Sequence, residues 1–100
     1  MINKNIRKTV VEFDNHAANF YAYLFNQLRT SVQKIDRKKE ENVFKLQVSK
    51  YSRELKRQLD QQAKVLIDTP DLDVRKQLES VLPARVHYYL QEFMLKCNNL

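Results

Sequence analysis

The sequence predicts an all-α fold, an elongated antiparallel three-helix bundle, and three observations carry that prediction. None of the 100 residues is glycine and only Pro70 and Pro83 are proline. Tight hairpin turns need positive φ, so a glycine-free chain argues against β-meanders and sandwiches. Apolar residues recur every three or four positions along nearly the whole chain. Only Asp36 to Asn42 and Thr69 to Asp71 interrupt that pattern with polar runs or proline.

In the first segment, Ile2, Ile6, Val10, Phe13, Ala17, Phe20, Leu24, Leu28, Val32 and Ile35 form one stripe. It keeps its phase through Asp14-Asn15-His16, where capping residues allow a break, so a single helix over about 3–34 is expected. Seven polar residues, Asp36 to Asn42, then leave no apolar face. The chain either reverses there or continues as an exposed rod, through which two copies would swap helices.

The second stripe is Phe44, Val48, Tyr51, Leu55, Leu59, Ala63 and Leu66, on a helix over about 40–68. Thr69-Pro70-Asp71 combines a capping residue, a proline suited to a first helical position and an acid at the positive end of the dipole. The third stripe, Val74, Leu78, Leu82, Val86, Tyr89, Phe93 and Cys97, crosses Pro83 nearly in phase. One helix over about 70–97, kinked at Pro83, is therefore expected, with two helices meeting at Leu82-Pro83 as the alternative. Each helix would be roughly 40–47 Å long at 1.5 Å per residue. The whole chain reads as one domain, completed within itself or by a second copy.

Function classes fall away by chemistry. Without glycine there is no phosphate-cradling loop and no nucleophile elbow. Cys97 is the sole cysteine, so neither an intrachain disulfide nor a cysteine-rich zinc site is available. It sits on an apolar stripe near a helix C-terminus, where the dipole disfavours a thiolate. Glu12 and His16 share a helix face, but the repeated Glu-x-x-His pattern of di-metal bundles is missing. His87 would join them only if the third helix lay alongside. His16-Ala17-Ala18-Asn19-Phe20 lacks the neighbouring lysine of a histidine phosphotransfer helix. The pairs Glu40-Glu41 and Asp71/Asp73 fall at helix starts, where capping accounts for them. The expectation is a non-enzyme without metal, cofactor or small-molecule substrate.

Charge is distributed unevenly. The chain carries +6 overall, but residues 1–64 hold fourteen basic and seven acidic residues, a net of +7, against −1 for the remainder. Lys34, Arg37, Lys38, Lys39, Arg53, Lys56 and Arg57 are the candidate nucleic-acid contacts, a basic face able to track phosphates. Lys50–Glu54 and Lys56–Asp60 have the four-residue spacing of helical ion pairs and would partly neutralise it. The other candidate surface is the set of aromatics off the main stripes, Tyr21, Tyr23, Phe25 and Tyr88, read as a protein interface. Long amphipathic helices with widened apolar faces suit a protein-interaction module that dimerises, with nucleic-acid binding as the second reading. No segment suits a membrane span or a signal peptide, so the expected setting is the cytoplasm and no membrane partner is expected.

Overall fold

The computed structural model describes residues 4–100. Its three helices are α1 (Lys4–Val32), α2 (Glu41–Ile67) and α3 (Leu72–Asn98), each packed against the other two. There is no strand among the described residues. The molecule measures 53 × 20 × 17 Å with a radius of gyration of 16.1 Å, against about 13 Å for a compact chain of this length. The elongated three-helix bundle is therefore the fold. Residue 3, where the first helix was expected to begin, and Ile2 lie outside the described residues.

The stripes form the core. Phe13, Ala17, Leu28, Leu55, Leu59, Leu82, Phe93 and Cys97 are wholly excluded from solvent. The remaining stripe residues from Ile6 onward are buried or half-buried. Among the described residues no charged or polar residue is buried with them. The three apolar faces thus cover one another within a single chain.

The polar run after Ile35 is a turn, not an extended rod. Asp36 organises it: its Oδ1 accepts from the backbone N–H of Lys38 at 3.0 Å and of Lys39 at 3.4 Å, and its carbonyl accepts from Glu40 N–H at 2.7 Å. This is the local alternative to helix that a short acid offers the backbone, and it ends α1 at Val32.

The second boundary differs slightly from expectation. Asp71, rather than Thr69, caps α3, accepting from Asp73 N–H at 3.0 Å and Val74 N–H at 3.3 Å. Pro70 therefore lies before the helix. Thr69 closes the connection instead, its carbonyl accepting from Arg75 Nη2 at 2.8 Å. The last helix continues unbroken through Pro83, which is exposed. Glu79, whose carbonyl proline leaves without its usual donor, is exposed as well.

Three helices joined by short turns place α2 antiparallel to its neighbours and α1 parallel to α3. Two contacts fix the α1–α3 register. Arg85 bonds Asp14, and Tyr21 donates to the Glu92 carbonyl at 3.4 Å, each pair 71 residues apart. Lys96 keeps the same offset, lying over Phe25 at 4.5 Å.

Candidate functional site

The four aromatics grouped as a protein interface are divided by the fold. Phe25 is 8% exposed, a core residue, and Tyr21 is half-buried against the same core. Both correct the expectation of a free surface. Phe93 meets them edge-on, with centroids 5.5 Å from Tyr21 and 6.4 Å from Phe25, the arrangement favoured by ring quadrupoles. Burial, with the nearby Cys97, Glu92 and Tyr88, raises the Tyr21 phenol above its ordinary value. Positions 21 and 23 are 200° apart on a helix, so Tyr23 faces away from this cluster, toward α2. Tyr23 is 63% exposed and Tyr88 on α3 is 52% exposed, but the two stand on opposite flanks of α1.

The basic candidates are divided as well. Arg37 is occupied within the fold: Nη1 donates to the Leu100 carbonyl at 3.0 Å, Nη2 to the Asn98 carbonyl at 2.7 Å, and the guanidinium lies 4.5 Å above the Phe44 ring. It satisfies carbonyls at the C-terminal end of α3, so its assignment as a free phosphate contact is corrected. Lys56 pairs with Asp60 at 2.8 Å, as its spacing predicts.

Lys50–Glu54 does not form. Arg57 takes the Glu54 carboxylate with two bonds of 2.6 and 3.0 Å, and Gln58 adds a third at 3.0 Å. These bonds hold Glu54 down to about 2 and raise Arg57. Lys50 lies 5.6 Å over the Tyr51 ring instead. Among the described residues, Lys34, Lys38, Lys39, Lys50 and Arg53 have no acidic partner within 4 Å.

A concavity lies between α1 and α2. About 450 Å³ is bounded by Phe20, Leu24, Tyr23 and Gln27 on one side and by Lys50, Tyr51, Glu54 and Gln58 on the other. A second volume of about 480 Å³ shares Tyr23, Gln27 and Tyr51 and extends to Thr30 and Ser31. Together they make one groove with an apolar floor and a lip of hydroxyl and amide groups. Tyr23 Oη accepts from Gln27 Nε2 at 2.8 Å, which steadies the phenol at the lip. Sequence reading missed this groove because Phe20 and Tyr51 lie on the core stripes and were assigned entirely to the interior.

The other polar centre is structural. Asp14 on α1 accepts from Arg85 Nε at 3.1 Å, Arg85 Nη2 at 2.7 Å and Tyr89 Oη at 2.9 Å, all on α3. The Asp14 bonds raise Arg85, and burial together with the Asp14 bond raises Tyr89. Each group has its partner inside the chain.

Cys97 is fully buried, and burial pushes its thiol up to about 12. His16 stacks on Phe20, with ring centroids 6.3 Å apart. Among the described residues no three His, Cys, Asp or Glu side chains gather to hold a metal ion, and no helix is long and apolar enough to cross a membrane. No family model, curated protein or solved structure matches the chain.

Proposed function

We propose that the chain is a non-catalytic protein-interaction module, an adaptor, assembly or regulatory subunit, that receives a partner on its α1–α2 face. The observation that carries this reading is Tyr23, 63% exposed at the lip of an open groove in a bundle whose core is complete without it. Aromatic side chains with an apolar body and a hydrogen-bonding tip are concentrated at protein interfaces. Dimerisation belongs to the same reading. Tyr88 and Leu95, seven residues apart on α3, are both exposed and give a second copy a helix face to pack on. A single cysteine, which leaves no intrachain disulfide to form, suits a reducing compartment such as the cytoplasm.

A second reading, nucleic-acid binding, is favoured by the uncompensated Lys34, Lys38, Lys39 and Arg53. Photocrosslinking in cells tests both. A benzophenone amino acid replacing Tyr23 is expected to give discrete protein adducts that the same probe at Arg7, on another face of α1, does not give. Adducts with nucleic acid from position 53, with none to protein from position 23, would replace the first reading by the second.

A further inference from the structure

We infer that the α1–α2 groove receives an acidic amphipathic helix of the partner, Lys50 answering its carboxylates and the Phe20–Tyr51 floor its apolar stripe. This rests on the interaction-module reading and adds the chemistry of the occupant.

One charge at the groove goes unanswered among the described residues. The carboxylate whose spacing suits Lys50 is Glu54, and Arg57 and Gln58 hold it with three bonds. Lys50 is left at the groove lip with only the Tyr51 ring beneath it. The one acid lining the groove is thus neutralised, and the one cation lining it is not. Arg53, one turn along α2, has no acidic partner either; its Nε donates to the Ser49 carbonyl at 3.4 Å. Beyond the Ser31 end the chain turns through Lys34, Lys38 and Lys39, all exposed and unpaired with acids. From Lys34 to Lys50 the chain carries six basic and three acidic residues, a net of +3, a balance that favours a negative occupant.

Shape narrows the class. From Phe20 to Ser31 the groove runs about 16 Å at 1.5 Å per residue, three turns of helix. An amphipathic helix laid in a groove between two helices buries an apolar stripe and leaves its flanks to pair with charges at the rim. A nucleic-acid backbone asks instead for an unbroken row of free cations. That row is interrupted on α2, where Lys56 and Arg57 are engaged with Asp60 and Glu54. The apolar floor then has a use that phosphates would not supply.

The test is fluorescence anisotropy with the full chain and three labelled probes. The first is a helical peptide of about 18 residues, long enough to hold helix, with leucine at i, i+3, i+4 and i+7 and glutamate elsewhere. The second replaces every glutamate by lysine, and the third is oligo-dT. The acidic peptide is expected to bind saturably at one per chain. Lys50→Glu and Tyr23→Ala should each weaken it about tenfold, the scale of a central interface contact. Arg7→Glu should leave binding unchanged, and all three variants should keep the parental melting temperature.

Three results would overturn the inference: no saturable binding of the acidic peptide, equal binding of the lysine peptide, or equal loss in Arg7→Glu. Tighter binding of oligo-dT with the same sensitivity to Lys50→Glu would transfer the groove to single-stranded nucleic acid. Protein adducts at position 23 together with failure of the acidic peptide would sink this inference and leave the interaction reading standing.

Discussion

Asp14 and Arg85, 71 residues apart, form a two-pronged ion pair at 2.7 and 3.1 Å that locks α1 to α3 in parallel register. Tyr89 adds a third bond to the same carboxylate. The centre is partly exposed, so screening reduces its worth below that of a fully desolvated pair. It still sets alignment, because sliding one helix by a turn would leave the carboxylate, guanidinium and phenol unpaired at once.

Removing both partners should therefore cost less than the sum of removing each alone. Asp14→Ala is expected to destabilise by about 1–2 kcal/mol, the scale of lost bonds to a charged group discounted for exposure. In Asp14→Ala/Arg85→Ala the second change should add less than it costs alone, a coupling of about 1 kcal/mol. Urea unfolding of the four proteins measures it. Strict additivity would show that the pair carries no energy.

The divided aromatics predict opposite mutational outcomes within three positions of one another. Phe25→Ala opens a cavity beside Phe93 and is expected to cost about 3–5 kcal/mol, a large share of a stability of about 5–15 kcal/mol. Tyr23→Ala should change stability by less than about 0.5 kcal/mol. Thermal melts of the two variants decide it, and a costly Tyr23→Ala would mean that the phenol is part of the core.

Arg37 and its neighbours separate in the same way. Arg37→Ala frees the Asn98 and Leu100 carbonyls and the Phe44 ring, and is expected to cost about 1–2 kcal/mol. Lys38→Ala and Lys39→Ala should be nearly silent in stability. Hydrogen exchange in the last turn of α3 should speed up in Arg37→Ala alone.

The sign of the Glu54 effect follows from its depressed pKa. Its contribution is present above the ordinary carboxyl value of 4.5 and is lost as pH falls from there toward about 2. The carboxyl carbon of Glu54 should therefore titrate near 2 by NMR. In Arg57→Ala, which removes the larger share of the bonding, the midpoint should rise back toward 4.5. An unchanged midpoint would mean that the guanidinium does not hold the carboxylate in solution.

The centre of each stripe was legible in the sequence, because a period of 3.6 marks which residues point inward. Its width was not. A helix between two neighbours buries flanks on both sides, so Tyr21 and Phe25 turn toward α3 and Phe20 toward α2, all within reach of one stripe. Partner choice was equally open for Glu54. Lys50, Arg57 and Gln58 all stand three or four residues away, and spacing cannot rank them. The planar fork of arginine, which makes two bonds where an ammonium makes one, decides it. The Asp14–Arg85 pair joins residues whose relation exists only once α3 is docked, so no local pattern announces it. The groove was hidden for the same reason as the flanks: Phe20 and Tyr51 serve the core and an outer surface together.

An odd number of helices has a mechanical consequence. Because α1 and α3 run the same way along a 53 Å axis, tension between residue 4 and residue 100 is directed along the bundle. It must slide α1 and α3 past α2 rather than peel one helix from an end. Sliding loads every layer of the core simultaneously, whereas peeling would load one layer after another. The Asp14–Arg85 pair lies across the direction of that shear and acts as a transverse pin between the two helices that carry the load.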